Sequence, residues 1–425
     1  MPVSYIPEST LNTDLSGLDS AVRTDVLNAL NLGAYQVQTG SYSSTDPSAT
    51  VLDVTGGSNV VSTDDALKAI VFDSTAPGQY YVTGGSSVYV ALGSGADSIN
   101  LYDNGNDTVQ GGNGGDVLGG GAGADLILGG TGNDQLYGGP GPNTLIGGGG
   151  NDFIRVAGAH SEGEAGTHGG NSTIVDLGGY IGAGTSTLTG GTGNDTLWGY
   201  GGDTLIGGTG NSVLHGGTNS LVESGSTTGG SNILGSGSTD ANNANTLQGG
   251  AGADSLYGGG GADTLIAGSG NNTLSSGTGE HQSLMGGSGN DLLQDIYSGG
   301  TDTLTAGAGS GTQTLVGQQG DTFSSAGSTG NNVFWVEGGA GAGSSITGGS
   351  GNDTFHIETH TGNDTITGGG GTDVVGFGGR ASTDIAPNGL TGSAGNYSLT
   401  FNNGQVIALH GITELYFTDG VVKLT

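Results

Sequence analysis

The chain has 425 residues, of which 98 are Gly, 38 are Asp or Glu and only 5 are Lys or Arg, which gives a net charge of −33. A surface this acidic repels phosphate backbones and anionic lipid, so nucleic acid and membrane surfaces are poor partners, whereas cations are good ones. The absence of Cys excludes disulfides, thiolate metal sites and a cysteine nucleophile.

The first 32 residues have a composition of their own. Leu15, Leu18, Val22, Val26 and Leu30 recur at helical spacing, which predicts a short N-terminal helix. One interpretation is a cap over the end of the fold, and the other is a docking element between molecules. The segment lacks the basic start and apolar stretch of a secretory signal peptide. No run of 18 apolar residues occurs in the chain, so we expect no membrane insertion.

Strand-like runs follow the predicted helix. Ala69–Phe72 and Tyr80–Val82 are rich in β-branched and aromatic residues. Residues 1–90 are therefore predicted to form an N-terminal capping or assembly module, made of the helix and a small β-rich part.

A nine-residue repeat dominates the centre of the chain. Residues 111–155 divide into five successive units, GGNGGDVLG, GGAGADLIL, GGTGNDQLY, GGPGPNTLI and GGGGNDFIR. The pattern GGxGxD occurs ten times in the whole chain, whereas about 0.4 copies are expected by chance at this composition. Because the glycines are regularly spaced and not randomly distributed, the segment is not a flexible low-complexity linker.

The repeat has a direct physical reading. Its glycines permit positive φ angles and let several backbone carbonyl groups come close to one small ligand. The carboxylate at position six lies beside these carbonyls. The aliphatic residue at position eight faces inward from a short strand, and stacking of successive units buries a continuous column. Two units per coil place residue i above residue i+18. Asp116 and Asp134 then share one side, and Asp125 and Asn143 share the other.

Carbonyl and carboxylate oxygens are the ligands of a hard cation, and Ca²⁺ fits them better than Mg²⁺, which demands octahedral geometry and retains its waters. These units resemble the hemolysin-type, or RTX, calcium-binding nonapeptide repeats. The resemblance implies a parallel β-roll, several bound Ca²⁺ ions and type I export with an uncleaved C-terminal signal. It therefore implies a secreted or cell-surface location.

The predicted Ca²⁺ ligands are the acids of the repeat turns, Asn143 at the same position of one turn, and glycines of the first complete repeats. They are Asp97, Asp107, Gly112, Gly114, Asp116, Gly121, Gly123, Asp125, Gly130, Gly132, Asp134, Asn143, Asp152, Asp195, Asp203, Asp254, Asp263, Asp291, Asp353, Asp364 and Asp373. Asn143 and Asn272 supply no charge, so their turns are predicted to bind Ca²⁺ more weakly.

The repeat pattern predicts a solenoid over residues 91–376. Its segments 156–189, 217–247 and 306–347 contain few acids. We interpret them as irregular, metal-free coils of one solenoid, and the alternative is separate rolls joined by flexible linkers.

Residues 377–425 are predicted to form a C-terminal β cap. Residues 397–401 and 405–409 flank Asn402-Asn403-Gly404, a strong hairpin signal, and a second hairpin is predicted around Thr418-Asp419-Gly420. The resemblance adds a secretion signal in this segment. The predicted fold is thus all-β, a parallel β-roll or β-solenoid with a short N-terminal helix and a C-terminal β-hairpin cap.

Catalytic motifs are missing from the sequence. Neither a P-loop, nor a GxSxG elbow, nor an HExxH zinc motif occurs, so we expect no enzyme. His356, Glu358 and His360 would share one face of a strand and could hold a transition metal, although a solvated polar face is the favoured interpretation.

The sequence as a whole favours an extracellular calcium-binding structural protein. We expect it to fold on Ca²⁺ binding and to assemble with copies of itself into a surface layer, fibre or biofilm matrix. The alternatives are an adhesin-type module that binds carbohydrate or ice, and, less favoured, a polysaccharide-modifying enzyme. Cell-surface polysaccharide is a further partner that the hypothesis allows.

Overall fold

The computed structural model describes residues 4–6, 35–39, 51–54, 59–62, 67–72, 74–177, 184–226, 229–297, 301–338 and 341–424. The chain forms two compact units, Met1–Val213 and Leu214–Thr425. Within the described ranges all regular structure is β, apart from one 3₁₀ turn at Ser382–Asp384. The all-β prediction is therefore confirmed, while the predicted N-terminal helix lies outside the described residues.

The first unit is built from short strands. They are β1 (Ser4–Ile6), β2 (Tyr35–Thr39), β3 (Val51–Val54), β4 (Asn59–Ser62), β5 (Ala69–Phe72), β6 (Gln79–Thr83), β7 (Tyr89–Leu92), β8 (Ser98–Tyr102), β9 (Thr108–Gly112), β10 (Val117–Gly119), β11 (Leu126–Thr131), β12 (Gln135–Tyr137), β13 (Thr144–Gly149), β14 (Phe153–Val156), β15 (Glu162–Glu164), β16 (Thr173–Asp176), β17 (Thr187–Thr189), β18 (Thr196–Trp198), β19 (Thr204–Ile206) and, across the boundary, β20 (Val213–His215).

Apart from β1, which pairs antiparallel with β2, the strands of the first unit stack in parallel as a β-solenoid with two repeats per coil. Leu118 of β10 pairs with Leu136 of β12, and Ile127 of β11 pairs with Leu145 of β13. Both pairs are 18 residues apart, which confirms the predicted coil length. All four side chains are fully buried, so position eight forms the core. Position seven, such as Val117, is only half-buried because successive strand residues face opposite sides.

Less regular coils of the first unit keep the same core register. Ile154 pairs with Ile174, 20 residues later, and Ile174 pairs with Leu197, 23 residues later. The extra residues lie in the connections, where loops tolerate insertions, and the three side chains remain fully buried. Residues 156–176 and 187–206 thus belong to the stack, as the solenoid interpretation predicts.

Parallel pairing also occurs before residue 91. Strand β3 pairs with β5, β5 with β7 and β7 with β9. Ala69–Phe72 is buried throughout, and the ring of Phe72 stacks on Tyr80 with centroids 3.9 Å apart. This part of the chain therefore has a larger apolar core than the repeats.

The second unit contains the remaining strands. They are β21 (Leu221–Glu223), β22 (Ile233–Gly235), β23 (Thr246–Gln248), β24 (Ser255–Tyr257), β25 (Thr264–Ile266), β26 (Thr273–Ser275), β27 (Ser283–Met285), β28 (Leu292–Gln294), β29 (Thr303–Thr305), β30 (Thr314–Gly317), β31 (Thr322–Ser324), β32 (Val333–Val336), β33 (Ser345–Thr347), β34 (Thr354–Ile357), β35 (Thr365–Thr367), β36 (Asp373–Phe377), β37 (Ile385–Ser393), β38 (Asn396–Phe401), β39 (Val406–His410), β40 (Ile412–Phe417) and β41 (Gly420–Lys423).

The second unit is also a parallel solenoid. Leu256 pairs with Leu274, which pairs with Leu293 one coil later. Further along, aromatic residues replace leucine in the core, and Phe334 stacks on Phe355 with ring centroids 4.8 Å apart. The coil that joins this pair is longer than the 18-residue coils, since the two residues are 21 positions apart.

The C-terminal strands continue both sheets and close the end of the second unit. β39 pairs in parallel with β35, and β40 pairs in parallel with β36. The antiparallel pairs β38–β39 and β40–β41 are the two predicted hairpins, which are confirmed. Arg380 lies 4.0 Å above the Phe401 ring and anchors the first hairpin.

Candidate cation sites

Each position-six carboxylate places one oxygen in a ladder between coils. The backbone N–H of Asp116 donates to Oδ1 of Asp134 at 2.8 Å, and that of Asp134 donates to Oδ1 of Asp152 at 2.9 Å. On the other side of the coil, Asp107 donates to Oδ1 of Asp125 at 2.9 Å. Oδ1 thus holds the coils in register, which leaves Oδ2 as the oxygen without a backbone partner in this ladder.

Most repeat turns fall into two groups, according to whether a hydrogen-bond donor reaches Oδ2. In the first group, which we call the open turns, Oδ2 is buried and meets no hydrogen-bond donor within the described parts of the chain. The open turns are those of Asp97, Asp107, Asp116, Asp125, Asp134, Asp152, Asp195 and Asp373.

Burial strongly affects the charge of these carboxyls. It raises the pKa of Asp116 and of Asp134 to about 7, with a smaller contribution from the neighbouring carboxylates of the same column. For Asp107 the pKa rises to about 8, again chiefly through burial, with Asp103 adding to the shift. A buried anion without a partner is costly, so these turns require a positive or proton-donating complement.

Asn143 identifies the other groups that face this position. Its Nδ2, which stands where an aspartate carries Oδ2, donates to the carbonyl oxygens of Gly139 at 3.0 Å and Gly141 at 3.1 Å. The carbonyls at positions two and four therefore point at the position-six side chain. When that residue is Asp and no backbone N–H reaches its Oδ2, the carboxylate and these two carbonyls are all acceptors. Such an all-oxygen set fits a hard cation of the Ca²⁺ type.

Glycine is required because consecutive turns touch. A Cβ on Gly132 would lie 1.6 Å from the carbonyl oxygen of Gly114, one coil earlier, and one on Gly130 would lie 1.9 Å from that of Gly112. Gly130 also has a φ of +111°, which L side chains rarely adopt. The predicted role of these glycines in bringing carbonyls close together is thus geometrically satisfied.

In the second group, which we call the closed turns, a backbone N–H of the same turn donates a hydrogen bond to Oδ2. Gly250 donates to Asp254 and Gly259 donates to Asp263, each at 2.7 Å. The turns of Asp291 and Asp353 make the same 2.7 Å contact with the second glycine of their own repeats. Asp203 accepts from the N–H groups of two residues, at 3.0 and 3.2 Å.

Asp364 has a third kind of partner. Nε2 of His360 lies 3.0 Å from its Oδ2, and both side chains are fully buried. The His360 carbonyl oxygen accepts from Arg380 at 3.2 Å. The imidazole thus faces the same carboxylate oxygen that a backbone N–H faces in the closed turns.

The sequence interpretation missed Asp103. This residue is 5% exposed, and neither of its carboxylate oxygens meets a hydrogen-bond donor among the residues the structure describes. Its charge acts on the pKa values of Asp107 and Asp125. The signal was present in the segment YDNGND, where Asp103 stands at position two in place of glycine.

The alternative transition-metal site does not form. His356 stacks on Trp335 with ring centroids 3.9 Å apart, whereas His360 turns inward to Asp364. Across the described ranges, no group of three or more His, Asp or Glu side chains could hold a metal ion by itself. Cation sites in this fold therefore depend on backbone carbonyls as well as carboxylates.

Comparison with known proteins gives one finding for the repeats. A family model described as the RTX calcium-binding nonapeptide repeat (4 copies) matches residues 93–127, 101–136, 128–158, 180–203, 199–219, 241–274 and 356–379. These repeats bind Ca²⁺ at multiple sites, and a β-solenoid is their typical fold. No curated protein matches the chain. Among the described residues, the structure has no helix of the length and apolarity needed to span a bilayer.

Proposed function

Because this chain carries RTX calcium-binding nonapeptide repeats, we propose that it is an extracellular structural protein whose repeats fold on binding Ca²⁺ and which then assembles with copies of itself. The proposed product is a surface layer, fibre or matrix, and no catalytic role is assigned. The observation that carries the proposal is the buried, unpartnered Oδ2 of the open turns, in a repeat whose turn carbonyls face the position-six side chain where it is Asn143.

Calcium supplies the charge that these turns lack. Each repeat buries one aliphatic side chain, such as Leu136, while its glycines lose more backbone entropy on folding than other residues do. Millimolar Ca²⁺ at a site with a Kd of about 10⁻⁴ M contributes about 1.4 kcal/mol. Several such sites together approach the net stability of a domain, about 5–15 kcal/mol.

The need for Ca²⁺ in folding supports a location outside the cell. Sites with affinities of the extracellular class are occupied only where Ca²⁺ is abundant. The chain would stay largely unfolded in a calcium-poor cytosol, and such a chain is suited to export. RTX-repeat proteins are typically secreted by type I systems.

Assembly is supported by the composition and by the exposed aromatic side chains. Tyr81 and Tyr102 stack with ring centroids 6.3 Å apart, and Tyr102 is 64% exposed. Aromatic surface of this kind supplies contact area for another copy. With a net charge of −33, copies repel one another unless cations neutralise them, so assembly should also require Ca²⁺.

Negative-stain electron microscopy tests this proposal. The purified chain should form ordered polymers in millimolar Ca²⁺ and should show none in EGTA, with equal Mg²⁺ as the control. Dispersed single particles in Ca²⁺ would contradict assembly and would favour the alternative binding module, which cell-surface polysaccharide arrays would then test.

A further inference from the structure

We propose that only the open turns bind Ca²⁺, and that the closed turns of residues 246–294 fold without it. This inference rests on the proposed function, since it divides the calcium dependence of folding between two parts of the chain. It also departs from the repeat pattern, because residues 241–274 match the same family model as residues 93–158.

Hydrogen bonding is the first argument. In the closed turn of Asp254, Oδ1 accepts from the N–H of Asn232 at 2.7 Å and Oδ2 accepts from Gly250 at 2.7 Å. Both oxygens of this buried carboxylate are therefore paired with donors. A cation at Oδ2 would have to displace the Gly250 N–H, whose positive end points into the site.

Backbone conformation is the second argument. In six open turns, those of Asp116, Asp125, Asp134, Asp152, Asp195 and Asp373, the glycine at position two has a φ between 90° and 111°. The position-two glycines of the closed turns, Gly250, Gly259, Gly287 and Gly349, lie outside this left-handed region. These six open turns and the four closed turns thus differ in backbone path, and the closed path presents an N–H where the open path leaves the carboxylate oxygen unpartnered. The open turns of Asp97 and Asp107 differ from the six, since Gly93 lies outside the left-handed region and Asp103 stands in place of the glycine.

The two parts of the chain also differ in the charge along each column of position-six residues. In the first unit the Oδ1 ladder runs through Asp97, Asp116, Asp134 and Asp152 without interruption. Four stacked carboxylates repel one another unless cations lie between them. In the second unit the corresponding ladder alternates Asn232, Asp254, Asn272 and Asp291, so neutral amides separate the charges.

A pair of identical sequences isolates the effect. GGAGAD occurs at residues 120–125 and again at 249–254. The first copy is open, with Gly121 at a φ of +90° and Oδ2 of Asp125 unpartnered. The second copy is closed. Because the hexapeptides are the same, the neighbouring coils decide which form is adopted.

Hydrogen–deuterium exchange of the full chain tests the inference, in millimolar Ca²⁺ and in EGTA. Amides of residues 117–119 and 135–137 should lose at least about 100-fold in protection when Ca²⁺ is removed, while those of 255–257 and 273–275 should change less than about threefold. Equal loss in both segments would overturn the inference and leave calcium-dependent folding intact. Retained protection in both would overturn the inference and the proposed folding switch together.

Matched variants of the two identical hexapeptides provide a second readout. Asp125→Asn should reduce the Ca²⁺ retained per chain by at least one ion, whereas Asp254→Asn should leave the number unchanged. Equilibrium dialysis against millimolar radiolabelled Ca²⁺ counts the ions, because sites with a Kd of about 10⁻⁴ M would empty on a calcium-free column. Loss of Ca²⁺ from the Asp254 variant would overturn the assignment, and the exchange experiment on the unaltered chain decides the matter if a variant does not fold.

Discussion

Nδ2 of Asn143 donates a hydrogen bond to the carbonyl oxygen of Gly139 at 3.0 Å, in a turn whose neighbours carry aspartate. The Asn143 amide thus gives the carbonyls of its own turn a hydrogen-bond donor. An aspartate at the same position has no donor to offer them. The sequence predicted weaker Ca²⁺ binding here from the lost charge alone, and the hydrogen bonds supply a second reason for that prediction.

Asn143→Asp should therefore convert this turn into an open one. We expect one additional Ca²⁺ per chain and a lower unfolding temperature in EGTA, because a further unpaired carboxylate joins the column of Asp107 and Asp125. Elemental analysis and thermal unfolding measure the two effects. Asn133→Asp is the control, since position 133 is exposed and adds the same charge outside the site.

Gly132→Ala tests the close approach of consecutive turns. The new Cβ would lie 1.6 Å from the carbonyl oxygen of Gly114, so the coils must separate. We expect a loss of at least about 2 kcal/mol in the free energy of unfolding at saturating Ca²⁺. Denaturant unfolding measures it, and Gly85→Ala is the control because a Cβ there meets nothing within 4 Å. Equal effects of the two substitutions would refute the steric argument.

Leu136→Ala tests the contribution of the inward column. Leu136 is fully buried, and its truncation should cost about 2–5 kcal/mol. Leu128, at position nine, is only half-buried, so Leu128→Ala should cost less than about 1 kcal/mol. Chemical denaturation in Ca²⁺ compares them, and a smaller effect at Leu136 than at Leu128 would show that position eight is not the core.

Asp103→Asn tests the carboxylate that lies outside the repeat pattern. Removing a buried charge near Asp107 should raise the unfolding temperature in EGTA, because like-charge repulsion is relieved. In Ca²⁺ the same change should weaken binding, because one anionic oxygen donor is lost. Thermal unfolding in EGTA should therefore show a higher unfolding temperature, and calorimetric titration should show a lower Ca²⁺ affinity. Asp240→Asn, at an exposed position, should move neither.

The coil and its core were predictable because the periodicity is strong. A glycine pair every nine residues and an aliphatic residue at position eight fix both the 18-residue register and the buried face, as the pairing of Leu118 with Leu136 confirms. The terminal hairpins were predictable for a similar reason, since Asn402-Asn403-Gly404 favours one backbone path.

The division into open and closed turns was not predictable from the repeat pattern. The two GGAGAD copies have the same residues but different partners for Oδ2, because the choice depends on coils 18 or more residues away. The role of His360 was missed for a related reason. Strand alternation predicted a shared face with His356, but β34 ends at Ile357 and frees His360 to turn inward toward Asp364.

Far-ultraviolet circular dichroism tests the central claim, that bound Ca²⁺ holds the open turns together. In EDTA the chain should lose a large part of its β signal, the part contributed by the open turns, and should recover it on addition of millimolar Ca²⁺ but not of equal Mg²⁺. Identical spectra in all three conditions would show that packing alone maintains the fold, and the account would be wrong.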